Sequence, residues 1–187
     1  MKKLICALLA LAMLLGCAAL AEGEGTAMRI VTCPEQDFAT LCRPEYTYDL
    51  HPDGGLTLML DGTDDGARVS IFKTDAPGSG FDADYYFNNT YPSLLNYSYG
   101  DNLLNPGDYT VYTLSGREMP GMLSLYSRLG ETWMRFCAFD LRDDCFVRYE
   151  AFCPGVDTDM ERTLTAVAVA VGNFQPDAGY YSGGGRS

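Results

Sequence analysis

The chain has 187 residues, 25 acidic against 13 basic side chains and a net charge of −12. That length supplies one ordinary domain with enough chain for a real core. The acidity disfavours nucleic acid and anionic lipid as partners, since both are repelled, and its simplest use is the solubility of an exported domain.

The N-terminus reads as a targeting segment. Lys2 and Lys3 precede an uncharged apolar run from Leu4 to Leu15, which suits a secretory signal and is too short for a stable membrane span. Two exits compete. Ala19-Leu20-Ala21, followed by Glu22, is an A-x-A cleavage site. Leu14-Leu15-Gly16-Cys17 resembles the bacterial lipobox, in which Cys17 takes a lipid and becomes the new N-terminus; Leu15 stands where that motif prefers a small residue. Either exit exports the protein, as a secreted domain or as an envelope lipoprotein. Cleavage after Ala21 removes 21 of 187 residues and leaves 166, and loss of Lys2 and Lys3 takes the charge from −12 to −14. No later segment is apolar enough to span a bilayer, so membrane contact is expected only through a lipid at Cys17.

Residues 22–27 read as an acidic, Gly-containing linker, and residues 28–174 as the domain. Met28 to Cys33 is a first strand, the following DFATLCRPEYTYDLHP is mixed, and Tyr46-Thr47-Tyr48 is extended. Leu56 to Leu60 and Arg68 to Lys73 form a hairpin around DGTDDG. Asp82 caps a helical stretch that Pro92 should break or kink. Four strands follow: Tyr109 to Leu114, Gly121 to Leu129, Thr132 to Phe139 and Cys145 to Phe152, the last two joined by DLRDD. WMRFCAF and CFVRYEAF carry apolar residues on both alternations, which predicts a sheet with both faces at least partly covered. Thr158 and Glu161 fit a capping box opening a final helix, with Leu164, Val167, Ala168 and Val171 at helical spacing and Gly172 at its C-terminal cap. Residues 175–187 read as a disordered, Gly-rich tail. The pattern is α+β, an antiparallel sheet flanked by helices.

Five cysteines remain after the signal: Cys33, Cys42, Cys137, Cys145 and Cys153. Export permits disulfides, and Cys33 and Cys42 flank a short segment that a bridge would close. Cys145 and Cys153 share one strand, roughly 26 Å apart, and cannot pair with each other. Cys137 reaches either of them only across strands. Cys137 and Cys145 sit in apolar strand patterns and read as buried small residues. No C-x-x-C occurs and no zinc spacing is matched.

This layout resembles the PsbP-like fold, shared by the photosystem II extrinsic protein PsbP, a Ran-binding nuclear protein and many bacterial exported proteins and lipoproteins. The resemblance covers roughly residues 28–174. It rests on DFATLCRPEYTYDLHPDGGLTLML as the opening strands, the helix after the first hairpin, the run of long antiparallel strands, and ERTLTAVAVAVGNF as the closing helix. It implies a PsbP-like sandwich and a binding or assembly role, but transfers no functional residue, because no catalytic or ligand motif defines the fold.

Chemistry leaves few marks. His51, the sole histidine, sits in DLHPDGG and reads as a loop residue rather than a catalytic one. No P-loop, dinucleotide fingerprint or G-x-S-x-G occurs, and no cofactor is implied. Asp61, Asp65 and Gly66 match parts of an EF-hand loop, but Phe72 stands where the bidentate Glu belongs, so a turn explains DGTDDG better than a metal. DLRDD reads the same way. Asp82 and Asp84 suit a helix start as well as a cation. The tyrosines are the richest remaining signal. Tyr46, Tyr48, Tyr109, Tyr112 and Tyr126 lie on strands, where packing explains them. Tyr85, Tyr86, Asn88, Tyr91, Tyr97 and Tyr99 crowd YYFNNTYPSLLNYSY, the candidate site for a protein, peptide or glycan ligand. The expected role is non-catalytic binding or assembly at the cell envelope. The alternatives are a secreted hydrolase using paired carboxylates on an extracellular polymer and redox sensing by an exposed thiol.

Overall fold

The apolar alternations between Tyr109 and Pro154 form the centre of one large antiparallel sheet. The structure, a computed structural model, describes residues 27–51, 54–63 and 66–183. The signal segment, the cut after Ala21, Cys17 and almost all of the linker lie outside the described residues. Two strands, β1 (Arg29–Cys33) and β2 (Phe38–Cys42), form a separate hairpin. The main sheet comprises β3 (Thr47–His51), β4 (Gly55–Met59), β5 (Arg68–Thr74), β6 (Leu103–Asn105), β7 (Tyr109–Leu114), β8 (Arg117–Arg128), β9 (Glu131–Leu141) and β10 (Phe146–Pro154). Its order is β3-β4-β5-β10-β9-β8-β6, with β7 also paired to β8.

Alternation sorts the side chains onto two faces. One face presents Leu56, Leu58, Val69, Ile71, Phe136, Val147 and Tyr149, all of them buried. Its cover is the β1–β2 hairpin, through Val31 and Phe38, and the final helix α2 (Thr158–Gly172), through Met160, Leu164, Val167 and Val171. Each such buried aliphatic or aromatic side chain stabilises the fold by about 1.5–3 kcal/mol. Thr40 Oγ1 donates to the Ala170 carbonyl at 3.0 Å and ties the hairpin to the helix.

The other face is only half covered. A helical arm, α1 (residues 83–99), lies across the β8–β9 half, with Phe87, Tyr91 and Leu95 packed on Met122, Cys137 and Phe139. Asp82 Oδ1 accepts from the Tyr85 N–H at 2.8 Å, as expected of the cap. The arm runs through Ala83–Tyr85, a π turn at Tyr86–Thr90 and Tyr91–Tyr99. The irregularity expected at Pro92 is this widened turn just before it, where the missing proline N–H leaves the ordinary ladder incomplete.

Several sequence expectations need correction. Phe38–Cys42 is a strand, and Leu103–Asn105 is a short strand that three residues did not reveal. Thr158 is the first helical residue rather than the cap; Asp157 precedes it and makes no side-chain cap bond. Gly172 closes the helix, but its need for glycine is proximity: a Cβ there would lie 3.0 Å from the Ser115 side chain. The tail is held through its first part. Gln175 exchanges backbone hydrogen bonds with Ala39 at 2.8 and 2.9 Å, and Tyr181 Oη donates to the Asn173 carbonyl at 2.6 Å.

The Cys33–Cys42 bridge is not formed. In the hairpin register Cys33 faces Phe38 and Cys42 faces Arg29, so the two sit at opposite ends, four ladder steps or roughly 13 Å apart, well beyond disulfide reach. All five described cysteines are free and buried. Burial pushes each thiol above the usual 9.0, Cys145 to about 11 and Cys153 to about 12. Redox sensing, which requires an exposed and acidic thiol, is therefore not what these residues are built for. A native chain beginning at Glu22 should react with iodoacetamide at none of the five thiols at pH 8, and at all five in denaturant without reductant. Two missing equivalents in denaturant would mark a bridge instead.

Candidate functional site

Outside the cover of α1, the half-covered face carries three rows of residues running across β3, β4, β5 and β10. The middle row is Asp49, Thr57, Ser70 and Glu150, matched strand to strand by the pairing register. One flanking row holds Met59, Arg68 and Phe152; the other holds His51, Gly55, Phe72 and Arg148. Together they enclose an open cleft of about 440 Å³.

Each contact follows from the register. Arg148 pairs with Phe72 and Arg68 with Phe152, so each guanidinium lies 4.5 Å from the centroid of the opposite ring. Such stacking is worth about 0.5–2 kcal/mol and fixes the guanidinium plane. Gly55 leaves room beside Phe72, and the His51 and Phe72 rings approach to 5.6 Å. His51 Nε2 lies 2.7 Å from Thr57 Oγ1, which lies 2.8 Å from Ser70 Oγ. The floor is thus a file of hydrogen-bonded hydroxyls ending on a histidine.

Glu150 is held from two sides. Its Oε2 faces Arg135 Nη2 at 3.1 Å and its Oε1 faces Arg148 Nε at 3.2 Å. A half-buried carboxylate needs such partners to remain charged. Burial works against the Arg135 charge, but Tyr91 and Glu150 more than offset it, leaving its pKa above the usual arginine value. Arg135 also donates to Tyr99 Oη at 3.4 Å and lies 5.4 Å from the Tyr91 ring centroid. It is the wall between the cleft and the α1 cluster.

The six residues of the tyrosine-rich candidate site do not share this cleft. Tyr91 is fully buried, and burial raises its phenol pKa well above the usual 10.0. Tyr86 packs beside it in the same cluster. Tyr99 stacks on Tyr126, ring centroids 4.1 Å apart. Tyr85 and Tyr97 point to solvent, 62% and 92% exposed. Asn88 Nδ2 donates to the Asp84 carbonyl at 2.8 Å. Only Tyr91 and Tyr99 touch the cleft's back wall, through Arg135. The cleft residues that the sequence reading passed over carried one signal: Arg148 and Glu150 sit two apart inside a strand otherwise bound for burial.

The acidic turns serve other ends. Asp61 accepts from the Ala67 N–H at 3.0 Å and pairs with Arg162 at 2.5 Å. Asp140 is fully buried between Arg117 and Arg142, at 2.5 and 2.8 Å. Among the described residues no cluster of three or more metal-ligating side chains occurs.

No protein-family model matches the chain, and no curated protein sequence matches it. Solved structures do. A crystal structure from Bacteroides thetaiotaomicron VPI-5482 aligns with a TM-score of 0.52 at 7% identity, over 79% of this chain and 47% of that one. This chain thus spans about half the length of that protein. Cyanobacterial PsbP (CyanoP) from Synechocystis sp. PCC 6803 aligns with a TM-score of 0.54 at 9% identity, over 82% of this chain and 95% of that one. The fold is PsbP-like. LpqN, described as involved in cell envelope biogenesis of Mycobacterium tuberculosis, aligns with a TM-score of 0.42 at 14% identity, over 82% of this chain and 86% of that one. At such identities the PsbP-like likeness establishes an architecture, and the cleft must be read from its own residues.

The glycine at 55 gives a direct check on that reading. A Cβ there would lie 2.5 Å from two ring carbons of Phe72. Gly55→Ala should displace Phe72, lower stability by about 1–3 kcal/mol through overpacking, and separate the His51 and Phe72 rings. Thermal melting reads the first effect and ring-proton NMR the second; a variant as stable as the parent with both rings in place contradicts the packing described.

Proposed function

We propose that this is an exported binding protein of the bacterial cell envelope, and that its ligand sits in the cleft over β4, β5 and β10. The observation that carries the reading is the half-open face. Beyond the end of α1, one region gathers charged, hydroxyl and aromatic groups around a concave opening, the usual form of a binding site. Export is supported by the charged and apolar leader ending in Ala21 or Cys17. Among the described residues no helix is long and apolar enough to cross a membrane, which fits a domain held at the envelope by a lipid or a partner.

A binding role has more support than hydrolysis by paired carboxylates. The two acids of the cleft, Asp49 and Glu150, stand on strands three steps apart in the sheet, with Thr57 and Ser70 between them in the register. Glu150 is also engaged by two arginines.

Amide NMR with a panel of short peptides and oligosaccharides tests the reading. Ligands should shift resonances at Thr57, Ser70, Arg148 and Glu150 and leave the α2 side of the sheet unchanged. Saturable shifts confined to Tyr85 and Tyr97 instead would contradict the cleft and return the site to the exposed tyrosines.

A further inference from the structure

The end strands β3 and β7 of the main sheet treat their open sides differently. At β3 the Leu50 N–H is already taken by Asp49 Oδ1 at 2.8 Å, and Arg29 Nη2 donates to the Tyr46 carbonyl just before the strand. β7 reads Tyr-Thr-Val-Tyr-Thr-Leu over Tyr109–Leu114, with no charge and no proline. Among the described residues its only strand partner is β8.

The turn between β7 and β8 sets which backbone groups face outward. Ser115 and Gly116 have φ of 49° and 78°, a two-residue hairpin turn of the primed kind, which makes Leu114 and Arg117 a hydrogen-bonded pair. By alternation Tyr112 and Thr110 also bond to β8, so Tyr109, Val111 and Thr113 turn both N–H and C=O to the open side. Pro120 agrees with this phase: it stands opposite Val111, where the ladder needs no N–H toward β7. The Val111 side chain is 55% exposed, and Thr110 and Thr113 are exposed as well. Open backbone groups on a strand of β-branched and aromatic residues, with no lysine or proline to blunt it, are a template for another strand.

The segment is complementary to itself. An antiparallel copy centred on Val111 sets Val111 against Val111 of the copy, Tyr109 against Thr113 and Thr110 against Tyr112. Tyr109, Val111 and Thr113 each then exchange both backbone bonds with their opposites, and every cross-strand pair joins β-branched or aromatic residues without a charge. The same construction fails at β3, where the longest symmetric pairing of Thr47–His51 opposes Asp49 to Asp49 of the copy, like charges directly across. A net charge of −12 repels the two copies as wholes, but that repulsion is screened beyond about 8–10 Å at physiological salt, and the pairing segment adds nothing to it.

We infer that β7 is a self-association edge, through which two copies of this chain pair antiparallel over residues 109–113 into one continuous sheet. The cleft, over β3, β4, β5 and β10, lies at the other end of the sheet order, so both clefts stay open in the pair. A contact this narrow belongs to the transient class of interface.

Sedimentation equilibrium of the mature chain, with amide NMR at matched concentrations, is the test. The chain should be monomeric when dilute and dimeric by about 1 mM, and raising the salt from about 20 mM to about 500 mM should tighten the dimer several-fold. On dimerisation, amide exchange at Tyr109, Val111 and Thr113 should slow at least tenfold, while Thr110 and Tyr112 exchange slowly at every concentration. A mixture of labelled and unlabelled chains should show Hα contacts between Thr110 and Tyr112 across the copies, the close non-hydrogen-bonded pair. Val111→Lys puts like charges face to face and should weaken the dimer at least tenfold. Leu50→Lys, on the opposite end strand, should leave it unchanged. Unchanged resonances around Phe87 and Phe139 show that a variant is folded; where Val111→Lys is not, exchange and contacts in the parent chain are the test by themselves. A chain still monomeric at about 1 mM overturns the inference, as does a dimer that survives Val111→Lys or whose contacts map elsewhere. A monomer whose Tyr109, Val111 and Thr113 amides respond only to added extended peptides overturns it too, and makes a foreign strand the occupant.

Discussion

A helix with its side chains is about 10 Å across, and seven strands side by side span roughly 29 Å. One helix cannot cover one face of this sheet. On the face where two elements share the task, the β1–β2 hairpin and α2, the middle of the sheet is closed over a mainly apolar core. On the other face α1 works alone, seated by Phe87, Tyr91 and Leu95 over the β8–β9 half. The cleft is what this mismatch of widths leaves over.

What occupies the uncovered half follows from the same constraint. Side chains there must tolerate water, yet on β4, β5 and β10 they stand on strands whose other face is buried, so successive residues alternate between core and cleft. Val69 and Ile71 are buried while Arg68, Ser70 and Phe72 turn outward. Val147, Tyr149 and Ala151 are buried while Arg148, Glu150 and Phe152 turn outward. A shift of register by one residue would place Arg148 and Glu150 in the core, and unpaired charges there are expensive. The cleft's composition thus also fixes the strand pairing, and the Arg–Phe stacks and the Glu150 ion contacts hold it in place. At the margin of the sheet, Asp140 plays a similar positioning role between Arg117 and Arg142.

The sheet, the two helices and most strand boundaries were legible in the sequence because they rest on periodicity, which single residues report. CFVRYEAF showed both alternations occupied and correctly implied cover on both faces. It did not reveal that the cover stops halfway, because that depends on which strands lie side by side. β5 and β10 are adjacent in the sheet but separated in sequence by residues 75–145, and the cleft exists only through that pairing. The tyrosine-rich arm drew attention for the opposite reason: its aromatics are close in sequence, yet three dimensions divide them among the core, Arg135 and open solvent. The Cys33–Cys42 pairing failed because the segment between them is one tight turn followed by the whole of β2, which places Cys42 at the opposite end of the ladder from Cys33.

The central claim is that α1 shields half of this face and leaves the cleft open. Hydroxyl-radical footprinting of the mature protein in solution measures it side chain by side chain. The structure predicts ready oxidation at Phe72 and Phe152, with Phe87, Tyr91 and Phe139, each buried to 3% exposure or less, protected. Protection of Phe72 and Phe152 at the level of Phe87 would mean that some part of the chain closes the cleft, and would contradict the account.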